Sequence, residues 1–298
     1  MNRDSCLVHV NGQLFPTDAP ALCALDRGFL YGDGLFETLR AYQGVPFLLD
    51  RHLARLAASA AELRISDGLD TAALARNVAE LLHLNGLAGT RANPPDAYIR
   101  ITLSRGAHTG RLELEPTSTP TVCIVARPLR TLPQAYYEQG VPAVITSIRQ
   151  NAESPLPRHK TLNYLANLLA KTEARARGAY EAIFLNTRGE VAEAASSNLF
   201  LVLGGRLLTP SLDANILPGI ARAEILRLAG TVGIQAAERT VGPDELRSAD
   251  EVFLTNSVIE LLPVRSIGGQ DVGAGAPGPI TGQLQAAYRR RVEGKGQA

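Results

Sequence analysis

Arg158-His159-Lys160-Thr161-Leu162-Asn163-Tyr164-Leu165 is the stretch on which the reading of this chain turns. It follows a proline-rich approach (Pro155, Pro157) and opens a run with apolar residues at Leu162, Leu165 and Leu169 and at Tyr164 and Leu168. That period predicts a helix of about four turns over 161–177, ended by Gly178. Lys160 would stand at the mouth of the helix, with Tyr164 one turn later on the same face. A lysine there is an ordinary solvated residue unless the rest of the chain supplies what a reactive amine needs. The requirements are an anion clamp, a carboxylate for a heterocyclic nitrogen, and polar groups for a substrate.

At 298 residues the chain is long enough for two average domains. Thirty basic against 29 acidic residues leave a net charge of +1, which argues against nucleic acid or an acidic membrane surface as partner. No run of about 18 apolar residues occurs, so no membrane span is expected. Asp4, His9 and Asn11 interrupt any apolar signal region, and a cytoplasmic protein is expected. Cys6, Cys23 and Cys123 are odd in number and lack metal spacing, as expected of reduced, buried thiols. The histidines at 9, 52, 83, 108 and 159 form no HExxH pair and no Cys/His cluster, so no metal is expected.

Outward from the lysine, strand and helix signals fall into two blocks and predict an α+β protein of two domains. The first block, 1–127, holds a hairpin closed by Asn11-Gly12, a glycine-punctuated turn through Gly32-Asp33-Gly34, and a strand over 35–42. Helices over 51–63, capped by Asp50, and over 71–84 follow, then strands over 97–103 and 121–126. The prolines and threonine of 128–136 read as a linker. The second block, 137–298, has strands over 141–147, 181–186, 199–203 and 251–254, and helices from about 220 to 229 and 280 to 292.

Several features could carry chemistry, each with an ordinary alternative. Gly219 at a helix start offers outward backbone N–H groups with the positive end of the helix dipole behind them, or is simply a helix cap. Thr255-Asn256-Ser257 offers hydroxyls, an amide and N–H groups, or is a plain loop. Arg55 could grip an anion in bidentate fashion, or be a solvated helix arginine. Glu193 lies in a small-residue loop beside Ser196, Ser197 and Asn198. It is either a surface carboxylate or one that keeps a ring nitrogen protonated. Lys171 is the nearest other lysine to Lys160.

Together these motifs resemble the class IV, fold-type IV, pyridoxal-phosphate enzymes. That family holds branched-chain and D-amino-acid aminotransferases, (R)-selective amine transaminases and 4-amino-4-deoxychorismate lyases. The resemblance runs almost end to end. It is carried by Tyr31-Gly32-Asp33-Gly34-Leu35-Phe36-Glu37-Thr38, the Arg55 helix, His159 to Leu165, Glu193 to Phe200, Ile216 to Arg222 and Thr255-Asn256-Ser257. It implies a small N-terminal α/β domain and a larger, barrel-like mixed domain. It implies a Schiff base between Lys160 and pyridoxal 5′-phosphate, with Glu193 on the pyridine nitrogen, Ser197 and Asn198 beside it, and Tyr164 on the ring hydroxyl. Arg55, Gly219, the N–H groups of Ile220 and Ala221, Thr255 and Asn256 would hold the phosphate side. Tyr31, Thr38, Arg100, Asn256 and the 104–111 loop with Arg105 and Arg111 would face an amino-acid-like substrate. Where many members carry a hydroxyl residue this chain has Ala221, leaving only a backbone contact there. A homodimer is also implied, with Tyr31 or the 104–111 loop placed to serve the neighbouring subunit.

The resemblance implies that the cofactor ring would acidify the Cα–H of a bound amino acid and that Lys160 would take the proton. Reprotonation at the cofactor carbon gives transamination, whereas loss of a leaving group gives elimination. The segments 26–32, 46–52 and 255–260 resemble the aminodeoxychorismate lyases most, with Thr38 and Asn256 at lyase-type substrate positions. The expectation is therefore a lyase releasing p-aminobenzoate and pyruvate, with a D-amino-acid or branched-chain transaminase as the alternative. A non-catalytic module would not be expected to keep both Lys160 and Glu193, and a Rossmann dehydrogenase would need a GxGxxG absent from this chain.

Overall fold

The computed structural model describes residues 6–19, 22–89, 93–107, 110, 112–114, 119–274 and 277–294. The chain divides into two compact units, Met1–Arg130 with His159–Asn163, and Thr131–Arg158 with Tyr164–Ala298. The expected division into contiguous domains thus needs amendment: the five residues around Lys160 belong with the first unit. The three cysteines are unpaired and, against expectation, none is buried: Cys6 and Cys123 are partly exposed and Cys23 is exposed.

In the first unit, β1 (Leu7–Val10) and β2 (Gln13–Pro16) form the predicted hairpin, closed by Asn11 and Gly12 at φ 48° and 85°. The expected glycine-punctuated turn contains a short helix, α1 (Arg27–Tyr31), capped by Asp26, which accepts from the Gly28 N–H at 2.8 Å. There follow β3 (Gly34–Tyr42), β4 (Val45–Pro46), α2 (Leu49–Glu62), α3 (Thr71–Leu84), β5 (Ala97–Ser104) and β6 (Thr121–Pro128). Leu48, not Asp50, holds the N-cap position of α2, and Asp50 lies in the first turn.

The six strands pair antiparallel in the order β2-β1-β6-β5-β3-β4. Strand alternation turns Leu35, Leu39, Ile99, Ile101 and Leu103 to one face, where α2 and α3 bury them against Leu53, Leu56, Val78 and Leu81. Full burial of each such side chain stabilises the unit by about 1.5–3 kcal/mol. The opposite face carries Phe36, Thr38 and Arg40 on β3 and Tyr98, Arg100 and Thr102 on β5, with Thr38 directly across from Arg100.

The stretch 159–163 is where the expectation fails most instructively. It is not helical. β4 covers β3 only at Ala41 and Tyr42, so the N-terminal half of β3 is an open edge. Residues 160–162 fill that edge: the Phe36 N–H donates to Lys160 O at 2.8 Å and the Leu162 N–H to Gly34 O at 2.9 Å. Gly34 is required there, because a Cβ would come within 2.5 Å of Leu103 O and 2.8 Å of the Leu162 side chain. The His159 ring shares a 3.0 Å hydrogen bond with Ser59 Oγ, and the Asn163 amide donates to Gly32 O at 3.0 Å. With its backbone pairing spent on β3, this stretch has no i→i−4 bonds left to give. The helix begins only at Leu165.

The second unit holds α4 (Gln134–Gln139), which begins within the expected linker and runs past its end, then β7 (Val141–Gln150), α5 (Leu165–Ala176), β8 (Glu181–Asn186), β9 (Val191–Ala194), β10 (Asn198–Leu203) and β11 (Arg206–Pro210). It continues with α6 (Ile220–Thr231), β12 (Ala236–Arg239), α7 (Pro243–Arg247), β13 (Glu251–Asn256), β14 (Glu260–Ile267), β15 (Gln270–Asp271) and α8 (Pro279–Val292). Its mixed sheet runs β12-β11-β10-β13-β14-β7-β8-β9, with β15 on β14. β11·β12, β14·β7 and β7·β8 are parallel. Apolar clusters form on two sides. One is built of branched side chains such as Ile183, Leu201, Val252 and Leu262, the other largely of alanines, including Ala170 and Ala174 of α5 and Ala182 and Ala192 of the sheet. Glu193 lies on β9, a strand the sequence reading assigned to a loop.

Gly278 precedes α8 and has no side chain to cap it, so the cap comes from β13. The buried Glu251 carboxylate accepts from the N–H groups of Ile280 (3.0 Å) and Thr281 (2.7 Å) and from the Thr281 hydroxyl (2.6 Å). These are charge-assisted bonds at a helix N-terminus, where a carboxylate is favoured. Glu251→Ala is expected to lower stability by about 2 kcal/mol, and the melting temperature by several degrees, in a thermal unfolding scan. A melting temperature unchanged within error would show that α8 does not depend on this cap.

Candidate active site

In the second unit three segments gather around Glu193. β9 carries it, and the loop before α6 meets it through the Leu217 N–H, which reaches both carboxylate oxygens at 3.2–3.3 Å. The Asn198 amide donates to Glu193 at 3.2 Å and to Leu217 O at 3.0 Å. Two bonds thus fix the carboxylate's orientation. Tyr164, at the N-cap of α5, donates its hydroxyl to Ala195 O at 2.9 Å, as does the Asn167 amide. The phenol therefore lies beside the turn that follows Glu193. It is set there by the helix start and not by a shared helical face with Lys160.

The anion side is built from α6 and β13. α6 opens at Gly219 with no capping side chain and no acidic residue in its first turn, so the N–H groups of Ile220 and Ala221 stand at the positive end of the helix dipole without a side-chain cap. A Cβ at Gly219 would collide with the Asn198 side chain, so the position is limited to glycine by contact. Thr255 is buried, and its hydroxyl is among the few buried polar side-chain atoms with no hydrogen-bond partner. A buried orphan hydroxyl costs free energy unless something binds it. An anion-accepting helix start, an orphan hydroxyl and an oriented carboxylate fit a phosphorylated, nitrogen-containing cofactor.

Asn256 and Ser197 differ from expectation. The Asn256 amide donates to Ser196 O (3.0 Å) and Ser197 Oγ (3.2 Å), and its oxygen accepts from the N–H groups of Val258 (2.8 Å) and Ile259 (2.9 Å). All its bonding capacity goes to protein groups. Both side-chain donors face the 196–197 turn and its oxygen faces its own loop. Lys171, the other candidate amine, donates to Tyr180 O at 2.8 Å and pairs with the buried Glu181 at 3.1 Å.

In the first unit the Lys160 side chain lies over the face of Phe36, its Nζ 4.5 Å from the ring centroid. The Arg100 guanidinium lies 3.8 Å from the same centroid and donates to Thr102 Oγ1 at 3.2 Å. Lys160, Arg100 and Thr38 thus belong to one sheet face, with Tyr31 exposed at the end of α1. Arg105 is a correction: it is buried, holds Asp33 through both oxygens (2.8 and 3.1 Å), and donates to the carbonyls of Leu63 and Arg64. Arg27 also binds Asp33, at 2.7 Å. Burial pushes the Asp33 carboxyl up, but hydrogen bonds from Arg105 and Arg27 outweigh it and hold the pKa low. These bonds commit the Arg105 guanidinium to Asp33 and the backbone and do not present it to a ligand. Arg111 lies outside the described residues.

Arg55 is not solvated. Its Nε and Nη2 each reach a Glu37 oxygen at 2.7 Å, and His52 Nδ1 lies 2.7 Å from the same carboxylate. Burial pushes the Glu37 carboxyl up, yet the Arg55 charge and the bonds from His52 and Arg55 bring it down to about 2. Desolvation also lowers the His52 pKa, only partly offset by Glu37. Glu37 and His52 were missed in the sequence. Their available signals were the shared parity of Glu37 with Leu35 and Leu39, and the i,i+3 spacing of His52 and Arg55. Among the described residues no three metal-ligating side chains cluster to hold a metal, and no helix is long and apolar enough to cross a membrane.

Comparison with known proteins places this geometry in context. Residues 34–267 match the family model "Amino-transferase class IV". A D-alanine aminotransferase of Bacillus licheniformis is 34% identical over 282 residues, 95% of each chain. An aminodeoxychorismate lyase of Bacillus subtilis (strain 168) is 32% identical over 287 residues, 96% of this chain and 95% of that one. Among solved structures, a branched-chain amino acid aminotransferase from Thermobaculum terrenum, in its pyridoxal-phosphate form, superposes with a TM-score of 0.85. It is 28% identical, and the match covers 99% of this chain and 96% of that one.

The Glu37 cluster makes a prediction with a defined sign. A carboxyl held at about 2 in the folded protein against its usual 4.5 contributes stability above pH 4.5 that is lost as pH falls toward 2. Glu37→Gln is expected to be less stable than the parent by about 3 kcal/mol at pH 7, with the gap narrowing below pH 4.5. Denaturant unfolding across that range checks it. A gap independent of pH would show that the charge of Glu37 is not what stabilises the cluster.

Proposed function

The chain belongs to the class IV aminotransferase family of pyridoxal-phosphate enzymes, and on that premise we propose that it is an amino-acid transaminase, moving an amino group to a 2-oxo acid. The observation that carries this over the lyase reading is the saturated side chain of Asn256, which withdraws one of the two lyase-type substrate contacts. Its likeness to the D-alanine aminotransferase supports the same reading. The second reading, an aminodeoxychorismate lyase, draws on the Bacillus subtilis relative and on Thr38.

When bound, pyridoxal phosphate supplies an aldehyde that condenses with amino groups and a ring that accepts electrons. Lys160 is the group proposed to condense with it, to take the Cα proton as a free amine, and to return that proton one carbon away. The backbone pairing of Lys160 with Phe36 fixes where its side chain starts, and the Phe36 ring supports the amine end. Glu193 would keep the ring nitrogen protonated, with Asn198 and the Leu217 N–H holding its carboxylate in place. Tyr164 would meet the ring hydroxyl. The N–H groups of Ile220 and Ala221, the Thr255 hydroxyl and Arg55 would bind phosphate, the last while still held by Glu37. Arg100, Thr38 and Tyr31 would orient the substrate, with Arg100 suited to an anionic group.

A homodimer is part of the proposal. Leu165, Leu168 and Leu169 of α5 and Phe29 of α1 are large apolar side chains left exposed, Phe29 to 79%.

The test is an assay of D-alanine and L-leucine, each with 2-oxoglutarate, alongside aminodeoxychorismate alone. Transfer to the oxo acid is expected; release of pyruvate and p-aminobenzoate with no transfer overturns the transaminase in favour of the lyase. Lys160→Ala is expected to abolish turnover while still binding the cofactor, read as quenching of protein fluorescence. Turnover retained in that variant would mean that another amine does the chemistry.

A further inference from the structure

Asn256 joins two segments that the ladder of β10 and β13 alone does not hold together. That ladder ends at the pair Asn198 and Thr255. Beyond it, the Asn256 amide reaches across to the 195–198 turn through Ser196 O and Ser197 Oγ. Its oxygen shapes its own loop by accepting from Val258 and Ile259. One side chain therefore sets both the fold of the 256–259 loop and its distance from the turn.

The two joined segments have different duties in the proposed function. The turn lies between β9, which carries Glu193, and Asn198, which donates to the Glu193 carboxylate. The loop follows Thr255, whose buried hydroxyl has no partner. From its other side the turn is held by the Ser196 hydroxyl, which donates at 2.6 Å to Glu181, and by Ala195 O, which accepts from Tyr164 and Asn167. Asn256 thus closes a clamp whose opposite jaw is α5 and β8.

We propose that Asn256 is a positioning residue that locks the turn behind Glu193 to the phosphate-side loop, so that the ring-nitrogen and phosphate groups keep a fixed separation. This rests on the reading that those two segments hold the cofactor, but the lock itself is a property of the bare protein and is testable there. Asn256→Ala removes all four bonds. Asn256→Asp keeps the two acceptors that fold the loop and loses the two donors that reach the turn.

The first measurement is amide hydrogen exchange on the protein without cofactor. Faster exchange is expected at 193–198 in both variants, and at 256–259 only in Asn256→Ala. Exchange at 193–198 equal to the parent in both variants overturns the lock, whatever becomes of the cofactor reading. The second is titration with pyridoxal phosphate and with pyridoxal, which lacks the phosphate and so is insensitive to a new charge beside it. Both dissociation constants are expected to rise about tenfold in Asn256→Ala, with the substrate KM at saturating cofactor unchanged. A raised KM with unchanged cofactor affinity overturns the proposal and returns Asn256 to the substrate side. If the parent protein binds neither probe, the cofactor reading fails, and hydrogen exchange alone decides the lock.

Discussion

The open edge of β3 is the constraint on which the rest depends. A strand left half-covered exposes unpaired N–H and C=O groups that must be satisfied somewhere. Here they are satisfied by residues 160–162, fixing Lys160 by backbone bonds in place of side-chain packing. A lysine carried on a helix mouth would have a frayed terminus behind it. One paired into a sheet has a rigid origin, and its long side chain is the only soft part. Gly34 makes the close approach sterically feasible, and His159 and Asn163 tie down either end. The position of Lys160 is therefore specified by residues distant in sequence, among them Ser59, Gly32 and Phe36.

Charge is arranged by the same logic. Buried and partly buried guanidinium groups occur with carboxylates that hold them in one orientation: the partly buried Arg55 with Glu37, and the buried Arg105 and Arg27 with Asp33. Breaking such a pair by removing one partner strands a buried charge, so each is costly to alter even where its net stabilisation is small. The two pairs differ in consequence. Asp33 is shared by two arginines, whereas Glu37 accepts from one arginine and lies 2.7 Å from His52 Nδ1.

What the sequence disclosed, and what it hid, divides along locality. Helix α3 and the β1–β2 hairpin were legible because their signals lie within the element: the apolar period of 71–84 and the Asn11-Gly12 turn. The start of α5 was not, since Thr161 and Leu162 fit a helical period equally well and only their pairing with β3 prevents it. The strand that carries Glu193 is not legible, because Val191-Ala192-Glu193-Ala194 is too short to show a period of two. Arg105 and Asn256 have the composition of ligand-binding residues. Their partners, Asp33 and the carbonyl of Ser196, lie 72 and 60 positions away. Residue type gave the inventory of the site, and long-range pairing decided which members of it were already spoken for.

The loan of 159–163 from one unit to the other has a consequence for how the protein is made. During synthesis the chain up to Arg130 can form the six-stranded sheet, but the edge of β3 stays uncovered until 160–162 have been translated, after β7 of the other unit. Until then the nascent first unit carries an exposed edge of the kind that recruits other strands. The order of elements along the message thus opens an interval in which a chaperone or a neighbouring chain competes with the protein's own lysine segment for the same hydrogen bonds.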